Sequence, residues 1–250
     1  MNTTVRPIEK VPALDHDEAG VLAAVENERF VRLVSALSAE DWTRATDCPE
    51  WDVRAMASHV LGAMEGNVSL REFLHQLRAG KKVAGDRPDI DGMTEVQVRE
   101  RVHLGPKHLV HSLAEMAPRA ARARRRVPSP LRRLPMNVEV EKVMERWSLG
   151  YLFDVIMTRD TWMHRVDIAR ATGHALQLSA DHDGRIVSDV VVEWARRHGE
   201  PFTLHLLGPA GGTFSQGENG AELSLDAVDF CRTLSGRAPA TGLLAQQVPF

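Results

Sequence analysis

The sequence predicts an α+β protein, in which a helical N-terminal domain is followed by a small α/β C-terminal domain. Apolar residues recur at helical spacing before residue 175, whereas strand-like runs and Gly-rich turns occur after residue 200. This change of period places a domain boundary near residue 175, so the expected domains are residues 1–175 and 176–250. A chain of 250 residues is long enough for two ordinary domains.

The composition is that of a water-soluble globular protein, with 43% hydrophobic residues, 26% charged residues and a formal net charge of −3. This charge balance does not favour binding to nucleic acid. No segment approaches the roughly 18 apolar residues of a membrane span, and residues 1–20 lack the apolar run of a signal peptide. We therefore expect a cytoplasmic protein without nucleic-acid or membrane partners.

Two helices are predicted before residue 70. Between residues 15 and 37 the apolar positions keep helical spacing, and acidic residues near the start suit a helix N-terminus. Asp52 suits the N-cap of a second helix, whose apolar stripe extends from Val53 to Met64. This second helix carries His59.

The middle of the chain contains two further helical patterns. Residues 80–91 are interpreted as a loop, a third helix is expected over residues 93–116, and the Arg-rich residues 119–133 are interpreted as a solvated loop. A fourth helix over residues 138–172 is apolar on more than one side, which predicts a central position. Gly173 suits the end of this helix.

The last part of the chain predicts the α/β domain. A helix is expected over residues 181–198 and another over 226–234. Between them lie three predicted strands, at residues 202–207, 213–216 and 221–225, separated by Gly-rich turns.

Cysteine usage restricts any metal site to histidine and carboxylate ligands. Cys48 and Cys231 are the only cysteines and lie far apart in the sequence. Neither a disulfide framework nor a Cys-rich zinc site is therefore expected. We interpret both as structural thiols.

Asp160 and His164 are four residues apart on the predicted fourth helix, so their side chains can converge on one ion. A carboxylate among apolar neighbours needs a partner, which can be a metal or a buried salt bridge. His59 has small neighbours at helical spacing, which suit either a ligand or a closely approaching helix. Two imidazoles and one carboxylate form a donor set for Zn²⁺ that also suits Ni²⁺ or Fe²⁺. Spacing alone leaves these alternatives open.

Several segments resemble the mycothiol-dependent maleylpyruvate isomerase family, a branch of the DinB-like metal-binding bundles. The segments that resemble its second and fourth helices are residues 48–54 (CPEWDVR) with 58–60 (SHV), and residues 159–173 (RDTWMHRVDIARATG). The segments that resemble its C-terminal domain are residues 207–212 (LGPAGG), 225–232 (LDAVDFCR) and 234–237 (LSGR). Together they cover most of the chain in the family's order.

This resemblance implies an up-down-up-down four-helix bundle that holds a metal through His59, Asp160 and His164, followed by a domain similar to sterol carrier proteins. The founding enzyme has glutamate where this chain has Asp160, which keeps the donor type and shortens its reach. The family's C-terminal domain contributes an arginine to the cleft. By position we assign this role to Arg237, with Arg232 as the second candidate.

The resemblance further implies a divalent-metal enzyme, with Zn²⁺ preferred and Ni²⁺ or Fe²⁺ compatible, that uses a low-molecular-weight thiol, mycothiol. A cation that coordinates the thiol sulfur favours the nucleophilic thiolate. The expected outcome is isomerisation of an enedione acid such as maleylpyruvate, or S-transfer to a small electrophile. The competing hypotheses are a non-catalytic module that binds a metal and a small ligand, and a metal-free structural bundle. A monomer and a homodimer are both compatible with the sequence.

Overall fold

The computed structural model describes residues 4–140 and 143–250, which form two compact units. One unit is His16–Ala175, and the other joins the segment that ends at Asp15 to Leu176–Phe250. Besides short 3₁₀ turns, the elements in chain order are β1 (Arg6–Pro7), α1 (His16–Ser35), α2 (Val53–Val68), α3 (Leu70–Ala84), α4 (Asp89–Arg99), α5 (Pro106–Arg125), α6 (Ser129–Arg132), β2 (Pro135–Val140), β3 (Val143–Ser148), α7 (Leu149–Tyr151), the π-helical segment Leu152–Ile156, α8 (Met157–Thr172), α9 (Asp183–His198), β4 (Phe202–Leu207), β5 (Gly212–Gln216), β6 (Ala221–Asp226) and α10 (Ala227–Leu234). The predicted α+β class is confirmed.

The core of the helical unit lies between α1, α2, α5 and α8. Its buried side chains are Phe30, Val34, Trp42, Val53, Met56, Ala57, Val60, Leu61, Met64, Leu109, Leu113, Ala117, Ala120 and Ile168. Burial of each large apolar side chain contributes about 1.5–3 kcal/mol. The predicted N-cap of α2 is confirmed, because the Asp52 carboxylate accepts a hydrogen bond from the backbone N–H of Ala55.

The last helix of this unit, α8, is buried on most sides, as its two apolar strips predict. Eleven of its sixteen residues are buried, and it ends at Gly173, which has a left-handed conformation with φ of 74°. Polar side chains on such a helix necessarily lie inside the unit. Asp160 and His164 are among the residues that α8 carries, while α2 carries His59.

The residues before α8 do not form the first turns of a helix as predicted. Strands β2 and β3 instead form an antiparallel hairpin, and helical structure begins only at Leu149. Val138, Val140 and Val143 favour the extended backbone, because β-branched side chains lose rotamer freedom in a helix.

The helices between residues 70 and 125 also differ from the prediction. Helix α3 continues to Ala84, into the predicted loop, and α4 and α5 replace the single helix expected over residues 93–116. Helix α5 then continues to Arg125, because its buried stripe extends through Ala117, Ala120 and Ala121 while Pro118 faces solvent.

The second unit contains a mixed four-stranded sheet in the order β1-β5-β4-β6, together with α9 and α10. Strand β4 pairs antiparallel with β5 and parallel with β6, and the three strands occupy the predicted positions to within one residue. Strand β1, from the segment that we assigned to the helical domain, pairs in parallel with β5. No helix in the described part of the chain is both long and apolar enough to pass through a lipid bilayer.

Candidate metal centre

The structure brings together the side chains of His59, Asp160 and His164. A carboxylate oxygen of Asp160 lies 3.2 Å from Nε2 of His164, and the other lies 3.3 Å from Nε2 of His59. Each histidine is 5% exposed, whereas the side chain of Asp160 is 25% exposed. The imidazoles therefore form the buried side of the group, and the carboxylate is its solvent-accessible side.

The spacing of these atoms fits the donor geometry of a tetrahedral ion. Zn²⁺ binds nitrogen and carboxylate oxygen at about 2.0–2.2 Å, so neighbouring ligand atoms in a tetrahedral site are about 3.3 Å apart. Oδ1 of Asp160 lies 3.2 Å from Nε2 of His164 and 3.4 Å from Nε2 of His59, close to this value, and one donor atom from each of the three residues lies within 4.8 Å of the others. Imidazolium–carboxylate hydrogen bonds have similar lengths, so metal binding stays a prediction.

Charge and burial shift the pKa values of two of these groups. Burial raises the pKa of the Asp160 carboxyl, but the charges of His164 and His59 outweigh it and hold this pKa well below its ordinary value. Burial lowers the pKa of His164, but contacts with Asp160 and then Asp167 raise it to about 9. His164 is therefore protonated at neutral pH in the metal-free protein, and a divalent cation must displace this proton.

Asp167 orients His164 from the opposite side of the ring. Its carboxylate is fully buried and lies 3.2 Å from Nδ1 of His164. Once a cation displaces the proton on Nε2, the proton that remains on Nδ1 is donated to Asp167, and the Nε2 lone pair is available to the cation. Cys48 donates weakly to the same carboxylate oxygen, with 3.9 Å between Sγ and Oδ2.

His59 is held by packing instead. Its Nδ1 atom is buried and has no hydrogen-bond partner among the residues that the structure describes. The ring of Trp51 lies 4.9 Å from the His59 ring and 5.8 Å from the His164 ring, measured between centroids. Trp51 is positioned by a tight turn, in which its backbone N–H donates to the Cys48 carbonyl oxygen. Trp51 was not among the site residues predicted from the sequence.

The small residues that follow His59 on α2 permit a close approach of α3 and α4. A Cβ atom at Gly62 would lie 2.7 Å from Cβ of Gln97, and one at Gly66 would lie 3.2 Å from Oε1 of Gln76. The sequence alone was compatible with a ligand or with a neighbouring helix at these positions. These two positions are filled by the neighbouring helices.

The predicted arginines Arg232 and Arg237 both lie in the second unit. Arg232 is 8% exposed, and its Nη1 atom is 3.2 Å from an Asp229 carboxylate oxygen. Arg237 follows α10, where its backbone N–H donates to the Arg232 carbonyl oxygen. Their role in catalysis stays a prediction.

A comparison with known families assigns the chain. The model of the mycothiol maleylpyruvate isomerase N-terminal domain matches residues 23–169, more than half of the sequence. The chain belongs to this family. The matched range includes His59, Asp160 and His164, and the resemblance that we found in the sequence is confirmed.

Two solved structures of the mycothiol-dependent maleylpyruvate isomerase are similar to this member of the family, one of them a histidine-to-alanine mutant. Both have a TM-score of 0.58 and cover 94% of this chain and 93% of their own. The mutant is 14% identical in sequence and the other structure 16%. At this identity the similarity shows the shared fold. No curated protein sequence matches the chain.

Proposed function

We propose that the protein is a divalent-metal enzyme that uses mycothiol to isomerise a small cis-enedione acid such as maleylpyruvate. The observation that carries the proposal is the convergence of His59, Asp160 and His164, whose donor atoms lie within 4.8 Å of one another, inside a member of this family. Three protein ligands leave coordination positions for a thiol, as a catalytic site requires. The proposed metal is Zn²⁺, although the donor set also accepts Ni²⁺ and Fe²⁺.

Each side chain at the site has a distinct part in this proposal. His59, Asp160 and His164 would hold the cation, and Asp167 would keep Nε2 of His164 directed at it. The ring of Trp51 packs beside both imidazoles and adds apolar surface to the site. A bound cation would supply one chemical effect, which is to favour the thiolate form of the thiol at neutral pH.

The isomerisation needs a reversible addition. The thiolate sulfur forms a bond to one carbon of the cis double bond, and the π electrons move onto the conjugated carbonyl oxygen as an enolate. The former double bond is now single and can rotate. Elimination then breaks the carbon–sulfur bond, restores the double bond in the trans form and releases the thiolate, so that no thiol is consumed.

The negative charge of the substrate and of the enolate requires a cationic partner. We assign this part to Arg237, with Arg232 as the second candidate, because a guanidinium can bind a carboxylate with two hydrogen bonds and stabilise developing charge. Replacement of each in turn by methionine separates them. Replacement of the arginine that stabilises the enolate should lower kcat. Replacement of an arginine that only binds the carboxylate should raise KM.

The proposal is tested by stripping the purified protein with a chelator, reloading it with Zn²⁺, and adding mycothiol and maleylpyruvate. We expect cis-to-trans conversion, followed by its ultraviolet absorbance, only when both the metal and the thiol are present. The variants His59→Ala and Asp160→Asn should lose the conversion. His111→Ala is the matched control, because that side chain is 72% exposed and lies outside the site.

A metal-loaded protein that neither converts maleylpyruvate nor consumes mycothiol would contradict the proposal. Consumption of mycothiol with formation of a stable thioether would also contradict it as stated. That outcome would assign the shared first step to a thiol transferase.

A further inference from the structure

A second polar cluster lies in the helical unit, where the end of α5 contacts the π-helical segment and the start of α8. It consists of His16, Arg124, Arg132, Asp154 and Thr158. Thr158 comes one helical turn after Asp154, so the two side chains share a face. The Arg-rich segment, which we interpreted as a solvated loop, supplies the two arginines.

Arg124 is a buried cation with few partners. It is 4% exposed, and the one hydrogen bond of its guanidinium to the described residues goes from Nη2 to the Thr158 hydroxyl, at 2.6 Å. Its Nε atom is buried without a hydrogen-bond partner in the described ranges. Burial lowers the pKa of Arg124 to about 10, against the raising effect of Asp154, so the group stays charged at neutral pH. A buried charge of this kind is costly unless it is paired.

The only carboxylate found in this cluster is already occupied by other groups. Oδ1 of Asp154 lies 3.0 Å from Nδ1 of His16, and Oδ2 lies 2.5 Å from Nη2 of Arg132. The Nε atom of Arg132 is also buried without a partner among the described residues. Two guanidinium groups therefore face one carboxylate, and each of them has a buried N–H donor to spare.

We propose that Arg124 and Arg132 bind a small oxyanion, either a carboxylate or inorganic phosphate, through these two Nε–H groups. Guanidinium donors match the oxygen spacing of both anions, and the added negative charge would balance the excess of cations. The side chains of His16 and Arg132 are 23% and 24% exposed, so they form the end of the cluster that is nearest to solvent. Arg124 forms its buried end.

This oxyanion site is separate from the candidate metal centre. Thr158 and Asp160 are two residues apart on α8, which places their side chains about 200° apart around the helix. The proposal therefore does not depend on the proposed function. It is tested on the metal-free protein, so a negative result for oxyanion binding would not contradict the proposed function, and a negative result for catalysis would not contradict oxyanion binding.

The direct test is a titration followed by the ¹H–¹⁵N resonances of the arginine Nε–H groups. Sodium phosphate and sodium succinate are added separately at constant ionic strength, with sodium chloride as the reference. We expect the Arg124 and Arg132 resonances to shift saturably with at least one oxyanion and not with chloride. The anion that saturates at the lower concentration identifies the ligand class.

Two variants assign the effect to the site. Arg124→Met should weaken oxyanion binding by about tenfold or more, since it removes a charge-assisted donor. Arg122→Met is the matched control, because it removes the same charge from an exposed position on the same helix and should bind as the native protein does. If Arg124→Met fails to fold, Arg132→Met and the native titration carry the test.

The absence of any saturable shift in the native protein would overturn the proposal. Equal affinity in Arg124→Met and Arg122→Met would overturn it as well, because the binding would then come from the general positive charge of the segment.

Discussion

The two histidines of the candidate metal centre face the same carboxylate but are held in different ways. His164 donates through Nδ1 to the buried Asp167, so a directional hydrogen bond sets the orientation of its ring. His59 has no such partner among the described residues, and its ring is positioned by contact with Trp51. A carboxylate behind an imidazole raises the basicity of the ring and fixes its tautomer. We therefore expect His164 to be the stronger ligand and His59 the weaker one.

The largest expected effect comes from removal of the stronger ligand. His164→Ala should lower Zn²⁺ affinity by more than the roughly 10- to 100-fold that the loss of an outer partner costs. His59→Ala should also lower the affinity, but less. The measurement is competition with a chromophoric zinc chelator, with His111→Ala as the control. An equal or larger loss in His59→Ala would show that the Asp167 contact does not distinguish the two ligands.

The next effect isolates the hydrogen bond itself. Asp167→Asn keeps the shape of the side chain but removes its charge, and it should weaken Zn²⁺ binding by about 10- to 100-fold. Asp86→Asn, at an exposed position, is the matched control and should leave affinity unchanged. Unfolding by urea separates this effect from a general loss of stability. An unchanged affinity in a folded Asp167→Asn would contradict the comparison.

The effect of pH on stability and on Zn²⁺ affinity tests the contacts that Asp160 and Asp167 make with His164. The pKa of His164 is raised from 6.5 to about 9, so the protonated ring stabilises the fold below pH 6.5 and this contribution is lost as pH rises from 6.5 through 9. Because Zn²⁺ must displace the same proton, its affinity should rise by up to about tenfold per pH unit up to pH 9. Competition with a chromophoric chelator at several pH values measures this change in Zn²⁺ affinity. A flat profile would mean that His164 is already neutral.

The smallest effect is expected at Cys48. Its thiol lies 3.9 Å from the Asp167 carboxylate and is a weak donor, so Cys48→Ala should change Zn²⁺ affinity by less than about threefold. A loss of Zn²⁺ affinity as large as that of Asp167→Asn would instead show that the Cys48 thiol is needed to hold Asp167 against His164.

Helix caps and helical spacing are local sequence signals, and they correctly predicted the helix ends and the helix face that they mark. Asp52 and Gly173 mark the ends of α2 and α8 because a cap depends on a few neighbouring residues. The pair Asp160 and His164 could be placed on one helix face from its spacing, and the family resemblance connected it to His59. No spacing rule alone would bring α2 and α8 together.

Features that depend on contacts between distant residues could not be predicted. The β2–β3 hairpin needs cross-strand pairs, and its valines also fit an apolar helical pattern. Trp51 and Asp167 join the site only through the packing of the turn and of α8 around the two imidazoles. The continuation of α5 beyond residue 116 was obscured by Pro118 and by the arginines, although the alanines on its inner face maintain the stripe.

The parallel pairing of Arg6–Pro7 with β5 makes the sheet discontinuous in sequence, since the whole helical unit is inserted between its first strand and the rest. A fragment that starts at Leu176 would leave the backbone N–H and C=O groups along one side of β5 unpaired, which favours association with other chains. A circular permutant that joins the segment before His16 to Phe250 through a flexible linker would supply that strand within one short polypeptide.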